Sequence, residues 1–288
     1  MGADGGLAKL RVAIVYSIRD PAGIGVASRL TELFNGGQLE GGCQQAKNCF
    51  KLTRDIILAG YDADTIDMEF LDETPDPTAD AIIVVSRHRA EAGRRSLTVH
   101  HTGNPTSKTL GGEPYKLSIS YPQLAKTLLI YYRDVAEETG LIGEYEVVLE
   151  ATHHGPTRPR KPIVFIEIGS RPEDWVNRKA HETLAITLLK LAKKGELLDC
   201  EPVAGYGGGH YPVKFTKATF ESEYCLGHII PKYAFKEGVT KDVIVQSIRN
   251  TYPRMPGRAL IEKKSLRSMD RKKILDVLVD MGIEPVMI

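Results

Sequence analysis

The sequence predicts an α/β fold whose mostly parallel sheet is covered on both faces, and three observations predict it. Strand-like and helix-like segments alternate along the chain. The two most apolar strand candidates are continuous runs, as in strands buried on both sides. A chain of 288 residues closes a large core without help from disulfides or a structural metal, so any metal ligands are free for chemistry.

The first strand lies at residues 10–17 (LRVAIVYS), an apolar run rich in β-branched residues. A helix follows over 21–34, with Ile24, Ala27, Leu30 and Phe34 at helical spacing. Residues 35–45 (NGGQLEGGCQQ) are rich in Gly and Gln and read as a flexible loop or an insertion. Strand candidates recur at 65–71, 81–86, 96–101 and 117–120, with Pro75 and Pro77 between the first two, and 121–139 reads as a helix. The clearest strands, 145–151 (YEVVLEA) and 162–168 (PIVFIEI), flank the loop that carries His153 and His154.

Ser170-Arg171-Pro172-Glu173 has the form of a capping box for one helix running to Lys194, with Val176, Ala180, Leu184, Leu188 and Leu191 as its apolar stripe. Lys190, Lys193 and Lys194 suit the negative end of its dipole. Later strands are expected at 198–204, 226–230 and 259–262, and helices at 214–224, 241–249 and 268–281. No segment repeats with a period of 20–50 residues, which excludes solenoids and propellers. The expected organisation is one compact α/β unit over residues 1–288, or two intimately packed lobes.

Composition is that of a globular protein: 42% hydrophobic, 26% charged, and 38 Lys+Arg against 37 Asp+Glu. Disorder, collagen and membrane classes are excluded. The net charge of +1 hides an asymmetry, since residues 1–150 carry 15 basic and 21 acidic side chains and residues 151–288 carry 23 and 16. A basic second half is a hint of an anionic partner such as nucleic acid. Cys43, Cys49, Cys200 and Cys225 form no C-x-x-C pair, and the N-terminus lacks an apolar stretch of signal-peptide length. A cytoplasmic protein with reduced thiols is expected.

Several standard motifs fail. The Asp20-Pro21-Ala22-Gly23-Ile24-Gly25 turn has Ser28 where a dinucleotide fingerprint needs its third glycine, and no P-loop lysine follows. His181-Glu182 starts like a zincin motif, but Ala185 stands where the second histidine belongs. No G-x-S-x-G elbow occurs.

What remains is a set of histidines at strand ends: His88, His100, His101, His153, His154 and His210, with His228 inside a strand. A parallel sheet could gather several on one rim, where they would bind a metal such as zinc or act as acid and base near neutral pH. A lone histidine is more often a satisfied core or surface residue; the clustering argues otherwise. Side chains alternate along an extended chain, so His153 and His154 are expected to face opposite ways, and only one of them to serve the site.

Glu150, Glu167 and Glu262 sit in or at the end of apolar strands, where a carboxylate is costly unless paired, so they are candidate ligands, bases or histidine partners. Gly205–Pro212 carries four glycines that allow close approach of a ligand and expose N–H donors. Arg158, Arg160 and Lys161, and the run Lys263, Lys264, Arg267, Arg271, Lys272 and Lys273, would suit a substrate bearing phosphates.

Ser86-Arg87-His88, Leu97-Thr98-Val99-His100 with Gly103-Asn104, Glu150-Ala151-Thr152-His153-His154-Gly155-Pro156-Thr157, Phe165-Ile166-Glu167-Ile168-Gly169-Ser170, Gly207-Gly208-Gly209-His210-Tyr211 and Glu262-Lys263-Lys264-Ser265 together resemble the archaeal and plant type of D-aminoacyl-tRNA deacylase. The resemblance spans nearly the whole chain. It implies a three-layer α/β/α sandwich on a mixed sheet, similar to phosphorylase/hydrolase-like folds, with a smaller α/β lobe. It also implies hydrolysis of the ester between a D-amino acid and the terminal ribose of tRNA, zinc as cofactor, and D-aminoacyl-tRNA as partner with neither membrane nor DNA; a monomer is expected.

Carried onto this chain, it gives His153, His154, Glu150 and His210 as catalytic candidates. His88, His100, His153, His154 and Glu167 are candidate metal ligands and Lys263 and Lys264 candidate substrate contacts, to which the basic groups and the glycine-rich turn add Arg158, Gly208 and Gly209. The expected chemistry is attack of water on the ester carbonyl, with a metal or a histidine activating the water. A zinc exopeptidase or amidohydrolase would use the same His/Glu set but would not need the basic half. A non-catalytic RNA-binding protein would need the basic half but not the histidines.

Overall fold

The computed structural model describes residues 10–39, 42–72, 76–91 and 93–288. The N-terminus read above, residues 40 and 41 of the expected loop, and Pro75 lie outside the described residues. In chain order the elements are β1 (Val12–Ser17), α1 (Pro21–Phe34), β2 (Gly37–Gln38), β3 (Asn48–Lys51), β4 (Ile56–Tyr61), β5 (Ala81–Arg87), β6 (Ser96–His100), β7 (Gly103–Asn104) and β8 (Lys116–Leu117). There follow α2 (Pro122–Glu138), β9 (Glu146–Leu149), β10 (Ile163–Gly169), α3 (Pro172–Trp175), α4 (Arg178–Lys194), β11 (Glu201–Tyr206), α5 (Val213–Glu221) and β12 (Tyr224–Ile230). The chain ends with α6 (Lys232–Glu237), α7 (Lys241–Arg249), β13 (Arg258–Ile261), α8 (Ser268–Asp280) and β14 (Glu284–Met287).

An eight-stranded mixed sheet has the order β2-β3-β4-β1-β5-β10-β6-β9. Strands β4, β1, β5 and β10 are parallel, β6 runs against β10, and β9 follows the direction of β6. A second, four-stranded sheet, β12-β11-β13-β14, is parallel throughout. The α/β class and the mixed sheet agree with the sequence reading.

Alternation along the strands decides what each face buries. Ile14, Val85, Val99, Leu149 and Ile166 face α1, α2 and α4 in the main core. Val15, Val84 and Phe165 point the other way, into a smaller cluster covered by the loop residues Cys43, Met68, Leu71 and Ala79. Helix α2 also packs on β11 and β12, so it lies between the two sheets, and each of its fully buried leucines, Leu124, Leu128 and Leu129, contributes about 1.5–3 kcal/mol of transfer free energy. The far face of the second sheet carries α6, α7 and α8 around Tyr206, Ile230 and Ile261.

Several expectations are corrected. Residues 65–71 are not a strand: Asp64 accepts the Thr65 N–H at 3.1 Å and starts a 3-10 turn over Thr65–Asp67, whose continuation lays Met68 and Leu71 over the sheet. The strand lies earlier, at Ile56–Tyr61. The helix expected over 170–194 is two. Arg171, not Ser170, caps α3, and its N–H is accepted by Asp174; Ser170 instead donates its hydroxyl to the Arg94 carbonyl. The chain then breaks at Val176, which is exposed rather than part of a buried stripe, and the Asn177 side chain accepts from Lys179 and Ala180 to start α4. The 35–45 segment contributes β2, paired with β3.

The thiols are not reduced. Cys43 is bonded to Cys49 and Cys200 to Cys225. Neither pairing is legible from C-x-x-C spacing, because each joins segments that the fold brings side by side. No helix among the described residues is long and apolar enough to cross a membrane.

Candidate active site

Strand parity builds the site. In the β5/β10 ladder Glu167 lies opposite Ser86, and in the β10/β6 ladder Phe165 lies opposite His100. Residues opposite one another share a face, as do residues two apart. Ser86, His88, His100 and Glu167 therefore lie on the loop-covered side with Val84 and Phe165. Glu150, two residues past Val148, joins them from the end of β9. The loop after β11 in the second sheet supplies His210.

The side chains converge on two buried carboxylates. His88 Nδ1 is 3.2 Å from Glu150 Oε1 and 3.3 Å from Glu167 Oε2. His100 Nε2 is 3.6 Å from Glu167 Oε2, His153 Nε2 is 3.5 Å from Glu150 Oε2, and His210 Nε2 is 2.9 Å from the same oxygen. The rings of His100, His153 and His154 are 4.3–4.9 Å apart, centre to centre. Two further groups belong to the cluster although sequence reasoning did not single them out as site residues. The Ser86 hydroxyl donates to Glu167 Oε1, and Tyr211 Oη is 2.8 Å from His88 Nε2. Parity within β5 was the available signal for Ser86; none was available for Tyr211.

The main chain fixes the imidazoles. Nδ1 of His100, His153 and His154 faces the carbonyl of His101, Ala151 and Gly155 at 3.2, 2.8 and 2.6 Å. A carbonyl only accepts, so each Nδ1 carries a proton, and in the neutral ring each Nε2 is a lone-pair donor. Burial pushes the pKa values of His153 and His154 down, and the neighbouring histidines add to it; His153 falls well below the usual range and His154 to about 4. Burial also acts against charge on His88 and His100, but the bond to Glu167 and the nearby carboxylates outweigh it and raise both. Glu167 is pushed up by burial and held well below its usual value by His100 and His88; Glu150 is lowered by His210 and His88 in the same way.

His153 and His154 do not face apart. His154 has a φ of +44°, and this left-handed turn cancels the alternation expected of an extended chain, so both rings enter the cluster. They still differ: His153 touches Glu150, whereas His154 packs its ring 5.0 Å from that of Phe165.

The other histidines are structural. His101 accepts the Tyr121 N–H and donates to the Gly227 carbonyl, and burial lowers its pKa to about 3. His228 bridges Thr152 and Ser118 across the two sheets. His181 bonds the Trp175 carbonyl and fills the space beside Gly25, where a Cβ would meet its ring at 2.1 Å. Asp20 caps α1 through the Ala22 and Gly23 N–H groups, placing a carboxylate where a nucleotide phosphate would sit.

The candidate substrate contacts lie at the rim. Lys263 and Lys264 are exposed in a 3-10 turn after β13 and make no ion pair among the described residues. Arg158 pairs with Glu113 at 2.8 Å, and Glu69 accepts its N–H. Gly207 and Gly208 take φ values of +112° and +73°, a region that favours glycine, and the Gly208 N–H is committed to Ser265 Oγ at 2.9 Å. Much of the remaining basic run is engaged: Arg267 pairs with Asp270, Lys272 with Asp276, and Lys273 donates to the Val239 carbonyl.

The cluster fits a metal ion. Three overlapping groups each bring their ligand atoms within 4.8 Å of one another: His100, His153 and His154; His88, Glu150 and His210; and His100, Glu150 and Glu167. His100 Nε2, both oxygens of Glu150 and Glu167 Oε2 are buried with ion-pair contacts between imidazole and carboxylate but no well-aligned hydrogen bond, a costly arrangement that a cation would relieve. Imidazole nitrogens with carboxylate oxygens are a divalent-metal donor set.

Comparison with known proteins gives a consistent result. A family model described as D-aminoacyl-tRNA deacylase matches residues 75–286. A D-aminoacyl-tRNA deacylase of Aeropyrum pernix is 47% identical over 276 residues, covering 95% of this chain and 98% of its own. One from Staphylothermus marinus is 41% identical over 271 residues, covering 94% and 96%. A crystal structure described as a conserved protein of unknown function matches with a TM-score of 0.85 at 26% identity, over 96% of this chain and 95% of that one.

Proposed function

The chain belongs to the D-aminoacyl-tRNA deacylase family, and from that premise we propose that the His/Glu cluster is its catalytic centre and that zinc is its metal. The reaction is hydrolysis of the ester of D-aminoacyl-tRNA, releasing free D-amino acid and tRNA. Such a substrate supports a cytoplasmic location.

His100, His153, His154 and Glu167 would hold the ion, with His88 beside them. When bound, zinc supplies a Lewis acid and lowers the pKa of water toward neutrality. The protein's own groups do the rest. Glu150 holds His210 through Nε2, which leaves Nδ1 free to take a proton from the attacking water. The water oxygen bonds to the carbonyl carbon, the ester C–O bond breaks, and the ribose oxygen leaves with a proton. Gly209, whose N–H has no acceptor among the described residues, would donate to the carbonyl oxygen as charge develops there. Gly208 shapes that turn, while Lys263, Lys264 and Arg158 meet tRNA phosphates.

The observation that carries this reading is the set of three converging histidines with Nδ1 committed to main-chain carbonyls, two of which, His100 and His153, turn Nε2 toward the buried carboxylates Glu167 and Glu150. The test is hydrolysis of D-tyrosyl-tRNA and L-tyrosyl-tRNA, each with and without a chelator. The D substrate is expected to be hydrolysed, the L substrate spared, and metal removal to abolish activity. Hydrolysis of neither ester would sink the reading, whereas full activity after complete metal removal would sink only zinc.

A further inference from the structure

The C-terminal ends of β12, β11 and β13 form an edge of which the reaction above uses only the His210 turn and Lys263 and Lys264. Four lysines stand along it: Lys214 at the start of α5, Lys232 at the start of α6, and Lys263 and Lys264 after β13. All four are exposed and free of ion pairs among the described residues. Two carboxylates face the same edge. Glu237 is occupied by Lys108 at 2.7 Å, and Glu262 lies behind the Gly207–Gly208 turn.

Among these lysines stands the aromatic ring of Tyr233, with 37% of its surface exposed. Its position relative to the catalytic centre is fixed by the main chain. The Lys232 N–H donates to the Gly208 carbonyl at 3.0 Å, two residues before His210. The Thr152 N–H donates to the Ile229 carbonyl at 2.9 Å, and the Ala151 N–H to the His210 carbonyl at 2.8 Å, just past Glu150. Tyr233 is therefore held beside the cluster, at the mouth where His210 opens to solvent. Burial and then the charge of Glu150 push its phenol up to about 12, so the ring stays neutral.

Resting on the deacylase reading, we propose that Tyr233 is the stacking platform for the 3′-terminal adenine of tRNA, with Lys232 and Lys214 taking the phosphates of the single-stranded end that leads to it. An unpaired, unstacked base offers a π-face that an aromatic ring recognises, and a lysine-lined edge tracks the backbone. Seating the base on Tyr233 would bring the adjoining ribose ester to His210, which explains why a ring of this size is left open beside a buried centre. Tyr233 is a positioning residue: it touches the substrate away from the reacting atoms.

The test uses the whole protein and a fluorescein-labelled, uncharged acceptor-stem minihelix ending in CCA, compared with the same minihelix whose terminal nucleotide is abasic. Loss of the base should weaken binding to the wild-type protein about tenfold or more. It should weaken binding to Tyr233→Phe equally, and leave Tyr233→Ala indifferent. With D-tyrosyl-tRNA, Tyr233→Ala should raise KM about tenfold while kcat stays within twofold. Lys232→Ala and Lys214→Ala should each lower the slope of log affinity against log salt by about 0.7. Undiminished discrimination by Tyr233→Ala, or equal loss in the Ala and Phe variants, would overturn the proposal. The binding arm reads the platform even if no ester is hydrolysed, so its failure and that of the deacylase reading are told apart.

Discussion

Glu150 and His210 meet at 2.9 Å across the junction of the two sheets, Glu150 from the end of β9 and His210 from the loop after β11. The contact is locked by the Ala151 N–H, which donates to the His210 carbonyl at 2.8 Å. The Glu150 side chain is fully buried and also faces His88 and His153. Replacing it by Gln keeps the shape but removes the negative charge that faces His210, and one of the two accepting oxygens. Glu150→Gln is expected to lower kcat/KM for D-tyrosyl-tRNA about 100-fold with an unchanged circular dichroism spectrum. A rate within threefold of wild type would show that the carboxylate has no part in the reaction.

The left-handed turn at His154 brings both loop histidines to His100. His153→Ala and His154→Ala are therefore both expected to lose metal, by at least tenfold in affinity, with activity falling in proportion to metal content. Metal analysis of the purified variants checks this. Full metal content in either one would remove that residue from the ligand set.

Which parts of the site were legible follows from what each depends on. His88, His100, His153 and His210 stand at the ends of apolar runs, so the sequence itself places them on the rim of a sheet, and the structure brings them together. The face of Ser86 follows from parity within β5, but its pairing with Glu167 depends on register between strands far apart in sequence, and the Tyr211 contact with His88 depends on how the second sheet's loop meets the first, neither of which a local pattern encodes. His154 breaks its alternation without a glycine to announce it. The fold shows the same division. Helix α7 falls where the sequence reading placed a helix, over 241–249, whereas the break at Val176 depends on the Asn177 side chain competing for the start of α4. Strand β4 was obscured by Gly60, which fits under Tyr16.

His228 predicts an acid limit on stability. It is fully buried, Nε2 donating to the Ser118 carbonyl at 2.9 Å and Nδ1 accepting from Thr152 Oγ1 at 3.2 Å, and burial lowers its pKa to about 4. Unfolded, it titrates near its ordinary value of about 6.5. Between these values the unfolded chain binds the extra proton. The stabilisation is therefore whole above about pH 6.5 and falls by about 1.4 kcal/mol per pH unit as the pH drops toward 4. His228→Gln keeps a donor for Ser118 but cannot be protonated. Urea unfolding at pH 7 and pH 4.5 should show a smaller loss of stability for the variant, by about 2–3 kcal/mol; equal losses would assign the acid limit elsewhere.

The Cys200–Cys225 bridge predicts stability without activity. It links residues 25 apart at the N-terminal ends of β11 and β12, where Pro202 lies opposite Cys225, whereas His210 follows the C-terminal end of β11. Along a strand rising roughly 3.3 Å per residue, the length of β11 separates the bridge from the site. Closing a loop of this size removes unfolded-state entropy worth about 3.5 kcal/mol, which in a chain this long corresponds to roughly 7–14 °C in Tm. Cys200→Ser with Cys225→Ser is thus expected to melt several degrees lower than wild type while its kcat and KM for D-tyrosyl-tRNA stay within twofold at 25 °C. Loss of activity at a temperature where the variant remains folded would mean that the bridge holds the Gly207–His210 turn in place, and that the two ends of β11 are coupled through the strand.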